Sequence, residues 1–210
     1  MKKINTRLYF ITDSSGFSED EFLFRVEEAL KGGATIVQLR EKEKSTREYI
    51  DLAEKVHCIT KKYNVPLIID DRVDVALCID AEGVHLGADD MPVHLARKLM
   101  GKDKIIGAST KTVDQAKRAF SQGADYLGVG AIFPTTTKVK TVLTSIETLN
   151  DICNTVTIPV NAIGGLNKKN IDILKGIPIA GICVVSAIMK AENVKQTTEE
   201  IIKTFEELSI

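Results

Sequence analysis

Apolar residues follow two alternating patterns along the chain. Short runs rich in β-branched residues predict strands at 7–12, 35–40, 66–70, 83–87, 104–109, 125–130, 158–163 and 180–186. Between them, segments such as 19–33, 46–63, 112–123 and 145–156 carry apolar residues at steps of three and four, which predicts amphipathic helices. Glycines at positions 32–33, 101 and 123 stand where these helices are expected to end.

This alternation predicts an α/β fold. Strands separated by helices form parallel βα units, and eight such units match a single-domain (β/α)8 TIM barrel. An open doubly wound sheet is the alternative, but no G-x-G-x-x-G motif follows the first strand. No linker, low-complexity segment or shift in composition divides the chain, so we expect one domain over residues 1–210.

Composition narrows the classes of partner. A net charge of -1 argues against nucleic acid and anionic membranes as partners. The sequence contains neither a signal peptide nor a stretch of about 18 apolar residues that could span a bilayer. The four cysteines are far apart and form no C-x-x-C pair, so we expect small buried thiols and a cytoplasmic location. A homo-oligomer is compatible with the sequence.

The second strand ends in polar residues. In a barrel of parallel strands, functional groups concentrate at the carboxyl ends of the strands. Alternation along "TIVQLREK" places Gln38, Arg40 and Lys42 on one face. Val37 and Leu39 share the other face. If the apolar pair packs under the helices, the polar residues face the barrel mouth; the alternative is a solvated strand end with a surface salt bridge.

Carboxylates follow the next two strands. Asp70 and Asp71 end the third strand, and Asp89 and Asp90 follow the fourth. Because basic residues are expected nearby, these carboxylates suggest a hard cation that links them to a phosphate. Mg²⁺ prefers one or two carboxylates completed by phosphate oxygens and water. The alternative for the first pair is to cap the following helix.

The sixth strand leads into "GAIFPTTTK", which offers groups that bind phosphate. Thr135, Thr136 and Thr137 supply hydroxyls, and Lys138 supplies a positive charge. The alternative is a polar loop with a proline turn.

The last two strand ends favour a phosphate site more strongly. Gly164 and Gly165 follow the seventh strand, with Asn167 as the expected N-cap of the next helix. Ser186 stands at a predicted helix start after the eighth strand. Helix N-terminal amides after strands seven and eight are the recurrent phosphate site of this fold.

The candidate groups indicate electrostatic rather than nucleophilic catalysis. His57 and His94 fall in helical patterns and are expected at the surface or in packing. His85 could face the lumen, but a satisfied core histidine is the favoured interpretation. Carboxylates, phosphate binders and one amide suit the stabilisation of a departing anion. From the residues alone we predict Mg²⁺-assisted chemistry on a phosphorylated or diphosphorylated small molecule.

The motifs "VQLREK", "DDRVDVAL", "GVHLGADD", "IGAST", "GADYLGVGAIFPTTTK", "AIGG" and "VVSAI" run through nearly the whole chain. In this order they resemble the thiamine phosphate synthase (thiamine-phosphate pyrophosphorylase) family. The resemblance implies a (β/α)8 transferase of thiamine biosynthesis that uses Mg²⁺. It joins 4-amino-2-methyl-5-(diphosphomethyl)pyrimidine to a thiazole phosphate and releases pyrophosphate. The implied mechanism is dissociative: the diphosphate leaves first, and the thiazole nitrogen captures the resulting cation.

The resemblance also implies roles for particular residues. The implied catalytic residues are Arg40, Lys42, Ser109 and Lys138. The implied contacts to the pyrimidine diphosphate are Gln38, Leu39, Arg40, Glu41, Lys42, Asp70, Ser109 and Lys138. The implied contacts to the thiazole phosphate are Thr135, Thr136, Thr137, Gly165, Val185 and Ser186. Mg²⁺ would be bound by Asp71 and Asp90. Asp70 departs from the family, which usually has asparagine there. Two roles for Asp70 therefore stay open, as a contact to the diphosphate and as a third ligand of Mg²⁺.

Two alternatives to a synthase remain. A thiazole tautomerase shares this fold, and its catalytic histidine would fall at Lys111, which carries no imidazole. The other alternative is a ligand-binding regulator built on a catalytically silent barrel.

Overall fold

Eight parallel strands form a closed barrel in the computed structural model, which describes residues 4–135 and 142–208. The strands are Leu8–Ile11 (β1), Ile36–Leu39 (β2), Leu67–Asp70 (β3), Gly83–Leu86 (β4), Ile105–Thr110 (β5), Tyr126–Gly130 (β6), Val160–Ile163 (β7) and Gly181–Val184 (β8). Each strand pairs with the next in parallel, and β8 pairs with β1. The predicted single-domain (β/α)8 barrel is therefore confirmed, while the extension of the domain over all of residues 1–210 stays a prediction.

Helices surround the barrel. They are Glu19–Lys31 (α1), Thr46–Lys62 (α2), Val73–Cys78 (α3), Val93–Met100 (α4), Val113–Ser121 (α5), Ile146–Thr155 (α6), Ser186–Met189 (α7) and Val194–Leu208 (α8). The hydroxyls of Ser18, Ser45, Thr112 and Ser145 cap α1, α2, α5 and α6 by accepting a backbone N–H bond. These caps explain why these four helices begin where they do.

Strand alternation divides the core into two parts. Val37 and Leu39 belong to the large outer core between the strands and the helices. A smaller inner cluster fills the lumen and includes Tyr9, Ile36 and Tyr126. Apolar residues thus occupy the lumen below the mouth, and strand β2 presents its predicted faces to the two cores.

The segment after β7 differs from the prediction. It contains one turn of 3₁₀ helix, Ile171–Leu174, which begins after Asn170, so the N-cap predicted at Asn167 is wrong. The side-chain oxygen of Asn167 instead accepts a bond from the Lys169 amide at 2.9 Å. The side-chain oxygen of Asn170 accepts a bond from the Asn167 amide at 2.9 Å. Because the two asparagine side chains hold these backbone amides in local turns, the chain forms a loop before the 3₁₀ helix begins.

The cysteines confirm one expectation and correct another. All four thiols are free, as predicted. Cys58 and Cys78 are exposed, however, so the predicted burial is wrong for them, and only Cys183 is fully buried. No helix in the described part of the chain is both long and apolar enough to cross a membrane.

Candidate active site

Basic and acidic side chains meet where β2 and β3 end. Lys42 Nζ contacts the carboxylate of Asp71 and lies 2.9 Å from Asp70 Oδ2. Arg40 Nε lies 3.7 Å from the same Asp70 oxygen. The strands that carry these groups are neighbours, with Leu39 paired beside Ile69. The barrel therefore brings Arg40, Lys42, Asp70 and Asp71 to one place, as the sequence predicted.

Asp90 joins this cluster from the loop after β4. Its Oδ2 accepts a bond from the Gly87 amide at 2.7 Å, which fixes the carboxyl group, and it hydrogen-bonds to Asp71. Burial and the Asp71 carboxylate raise the pKa of Asp90. Burial opposes ionisation of Asp71 too, but the hydrogen bond from Asp90 and the Lys42 ammonium lower its pKa. The two carboxyl groups therefore lie within hydrogen-bond distance of each other, and their pKa values shift in opposite directions.

The backbone of Asp71 is held in an uncommon conformation. Its φ is 60°, in the left-handed region that aspartate and asparagine tolerate better than most residues. Its amide donates to the His85 carbonyl at 2.8 Å. Arg72 precedes α3 without any side-chain cap, so the alternative role of Asp70 and Asp71 as helix caps is excluded.

Asp70 is the most deeply buried acid of the cluster. Its side chain is only 10% exposed. Burial, together with the neighbouring Asp71, raises the pKa of Asp70 to about 6, although Lys42 and Arg40 favour the charged form. Partial burial alone would lower the pKa of Lys42, but the two carboxylates raise it. The site therefore holds a firmly protonated lysine beside a carboxyl group that gains a proton just below neutral pH.

This burial predicts a pH-dependent stability. The folded pKa of Asp70, about 6, lies above its ordinary value of 3.8, so the folded state binds the proton more tightly than the unfolded chain. Ionised Asp70 therefore destabilises the fold above about pH 6, and this cost disappears below about pH 4. In Asp70→Asn, the free energy of unfolding should rise less than in the wild type between about pH 7 and pH 5. Urea unfolding at each pH, with a metal chelator present, measures the free energy of unfolding.

The matched control for that measurement is Asp89→Asn, which changes an exposed carboxylate near the same mouth. It should reproduce the wild-type pH dependence. Identical pH profiles for Asp70→Asn and the wild type would contradict the burial cost.

The side chains of two residues of the "QLREK" motif are engaged within the protein. The Leu39 side chain is buried in the outer core, and its carbonyl accepts a bond from the Tyr49 hydroxyl at 2.7 Å. Glu41 Oε2 accepts a bond from the Ser14 hydroxyl at 2.8 Å, and burial raises the pKa of Glu41. The roles of Leu39 and Glu41 in substrate binding stay predictions.

The loops after β6 and β7 lie against each other. A Cβ on Gly165 would come within 2.8 Å of the Phe133 Cβ and of the Pro134 carbonyl oxygen. The Phe133 amide also donates to the Gly164 carbonyl at 3.0 Å. Gly165 therefore permits the close approach of the two loops, and Thr135 follows directly.

Val185 and Ser186 complete this side of the mouth. Val185 packs against the inner cluster from the end of β8, and Ser186 begins α7, as predicted. Thr136, Thr137 and Lys138 lie outside the described residues.

A chain of hydrogen bonds crosses the lumen below the mouth. Gln38 Nε2 donates to the Tyr9 hydroxyl at 2.9 Å, and the hydroxyls of Tyr9 and Tyr126 are 2.6 Å apart. His85 Nδ1 lies 3.0 Å from the Tyr126 hydroxyl, and His85 Nε2 lies 2.9 Å from Ser109 Oγ. We call these five residues the lumen chain.

The lumen chain joins predicted and missed residues. Gln38 and Ser109 are its predicted ends, whereas Tyr9 and Tyr126 were not singled out. The signal for them is small residues on neighbouring strands: a Cβ on Gly107 would lie 2.2 Å from the Tyr126 hydroxyl oxygen, and one on Gly128 would lie 3.3 Å from the His85 ring. These glycines leave the space that the rings fill.

The histidines match their expected environments. His85 is buried with both ring nitrogens bonded, so the satisfied core histidine is confirmed, although it also touches a candidate site residue. His57 is buried and bonds Glu82 at 3.1 Å, and His94 is exposed.

A closed barrel with paired cations and carboxylates at its carboxyl end defines the class: a TIM-barrel enzyme with a mouth suited to anionic ligands. The family model described as thiamine monophosphate synthase matches residues 8–188. The chain belongs to this family, as the motifs predicted.

Individual relatives agree over nearly the full length. The chain is 51% identical to a thiamine-phosphate synthase of Enterococcus faecalis over 202 residues, covering 96% of this chain and 95% of the relative. It is 52% identical to thiamine-phosphate synthase 2 of Streptococcus pneumoniae over 203 residues, covering 97% of each. A solved thiamine phosphate pyrophosphorylase from Pyrococcus furiosus superposes with a TM-score of 0.89, at 42% identity and 98% coverage of both chains.

Proposed function

We propose that this chain condenses 4-amino-2-methyl-5-(diphosphomethyl)pyrimidine with a thiazole phosphate to give thiamine phosphate and pyrophosphate. The observation that carries the proposal is the cluster of Arg40, Lys42, Asp71 and Asp90 at the mouth of a barrel of this family. These groups match the demands of a diphosphate leaving group and its counter-ion.

The reaction needs charge stabilisation more than proton transfer. The bond between the methylene carbon and the diphosphate oxygen breaks, and its electron pair leaves with the diphosphate. The thiazole nitrogen then forms the new bond to that carbon with its own lone pair. Because no proton has to be removed from the nucleophile, the site needs positive charge around the leaving group rather than a general base.

Arg40 and Lys42 are proposed to supply that charge. They contact Asp70 and Asp71, and an entering diphosphate would offer them a more highly charged partner than either carboxylate. Lys138 is proposed as a third cation and Ser109 as a hydroxyl donor. Gln38, between the lumen and the mouth, is proposed to hold the pyrimidine side of the substrate.

Asp71 and Asp90 are proposed to bind Mg²⁺. The two carboxyl groups already hydrogen-bond to each other, and this donor set fits Mg²⁺ completed by substrate oxygens and water. No group of three or more His, Cys, Asp or Glu side chains arranged to hold a metal occurs within residues 4–135 and 142–208. The role of Asp70 as a third ligand stays open. When bound, Mg²⁺ would supply charge neutralisation for the leaving diphosphate.

The thiazole phosphate is proposed to bind on the opposite side of the mouth. Thr135, Gly165, Val185 and Ser186 come from three successive strand ends there, with Thr136 and Thr137 continuing the first loop. Exposed hydroxyls and backbone amides of such loops are suitable donors for a phosphate.

The remaining predictions concern location and partners. We propose a cytoplasmic location and no nucleic-acid or membrane partner, supported by the near-neutral charge and the four free thiols. The compatibility with a homo-oligomer stays a prediction.

The direct test mixes both phosphorylated rings with Mg²⁺ and follows pyrophosphate and thiamine phosphate. We expect both products in equal amounts. Exchange between thiazole tautomers without pyrophosphate would support the tautomerase, although Lys111 stands where that enzyme's histidine would fall. Tight binding of either ring without turnover would support the regulator.

A further inference from the structure

The lumen chain has a definite direction of hydrogen-bond donation. The Gln38 Nε2 group can only donate, so the Tyr9 hydroxyl accepts from it and directs its own proton to Tyr126. The Tyr126 hydroxyl then directs its proton to His85 Nδ1. Burial raises the pKa of Tyr9 and of Tyr126 well above the usual range, which keeps both phenols protonated as this direction requires.

The direction fixes the tautomer of His85. When Nδ1 accepts the hydrogen bond from Tyr126, a neutral ring carries its single proton on Nε2. That proton points to Ser109 Oγ, 2.9 Å away. Ser109 therefore accepts at its oxygen from the barrel interior, and its own hydroxyl proton is left for another acceptor.

We propose that His85 and Tyr126 are positioning residues that act through Ser109. They hold the Ser109 hydroxyl as a donor directed towards an anion at the mouth. If the ring carried its proton on Nδ1, Ser109 would donate to Nε2 instead and lose this capacity. Ser109 is exposed while His85 and Tyr126 are buried, so the buried groups control a donor that a ligand can reach. In taking the anion to be the leaving diphosphate, the inference rests on the proposed function.

The tautomer can be measured without any substrate. The chain has three histidines, and ¹⁵N spectra at fixed neutral pH would resolve them, with His85→Gln identifying the signals of residue 85. We expect wild-type His85 as the neutral Nε2–H form. Tyr126→Phe removes the donor to Nδ1 and should shift the population towards the Nδ1–H form. A wild-type ring that is doubly protonated, or protonated only on Nδ1, would overturn the inference.

Kinetics test whether the effect passes through Ser109. Tyr126→Phe should lower kcat/KM for the pyrimidine diphosphate about tenfold, the effect of one charge-assisted hydrogen bond, and leave KM for the thiazole phosphate unchanged. In a Ser109→Ala background the same change should cost less than about twofold, because groups in one network are not additive. An undiminished cost in that background would mean a structural role and would refute the proposal.

A matched control is available on the outer surface. The Tyr63 hydroxyl bonds a helix carboxylate, Glu27 Oε1, at 3.1 Å. Tyr63→Phe should leave both the His85 spectrum and the kinetics unchanged; an equal loss there would overturn the assignment. If the chain makes no thiamine phosphate, the proposed function fails while the spectra still decide the tautomer.

Discussion

Replacing Asp71 with asparagine is expected to raise the Mg²⁺ concentration for half-maximal rate by about tenfold or more. Substitution of residues that only support metal ligands already weakens metal binding by about this factor, and Asp71 is proposed as a ligand itself. Asparagine is preferable to alanine because Asp71 has a φ of 60°, which asparagine adopts without added strain. The substitution removes one of the two carboxylates that meet beside Lys42 and leaves Asp90 alone. A titration of turnover against Mg²⁺ measures the change.

The control for this titration is Asp89→Asn. Asp89 precedes Asp90 in the same loop but is exposed. It should show the wild-type metal requirement and the wild-type rate. An unaltered requirement in Asp71→Asn, or an equal rise in both variants, would refute the assignment of Asp71 as a ligand.

Lys42→Met is expected to lower turnover between about 10-fold and 100-fold, because a hydrogen bond to a charged group contributes about 1.5–3 kcal/mol. Methionine keeps an unbranched side chain of similar length and lacks the ammonium group. Single-turnover kinetics with both substrates and saturating Mg²⁺ measure the chemical step.

Lys44→Met serves as the comparison, because Lys44 lies two residues further along and pairs with Glu41 at 3.8 Å, whereas Lys42 pairs with Asp70 and Asp71. We expect its turnover to stay within about twofold of the wild type, because the Lys44–Glu41 pair is long and the lysine is partly exposed. Full activity in Lys42→Met would remove the lysine from the proposed mechanism.

The barrel was predictable because the signals for it are local and repeated. Each strand is a short apolar run, and four of the segments between strands carry helical periodicity together with a cap such as Ser18 or Ser45. The one-turn helix after β7 was not predictable in the same way. There the side chains of Asn167 and Asn170 compete for backbone amides, and the outcome depends on the packing of the loop.

Part of the site followed from alternation alone. The period of two residues predicted that Arg40 and Lys42 share one side of the chain, and just beyond β2 both face the Asp70 carboxylate. Tyr9 and Tyr126 were missed because an aromatic residue in a strand is ordinarily core packing. Their hydroxyls acquire a role only when distant strands bring them within 2.6 Å of each other.

The position of Lys42 has a consequence for the order of events at the mouth. Its ammonium group pairs with Asp70 and Asp71, so a divalent ion bound by Asp71 competes with it for the Asp71 oxygens. A polyanion that attracts Lys42 leaves those oxygens open to the ion. By thermodynamic linkage, each ligand then increases the affinity of the other by the same factor. Isothermal titration with Mg²⁺ alone should therefore give weak binding that becomes markedly tighter when inorganic pyrophosphate is present.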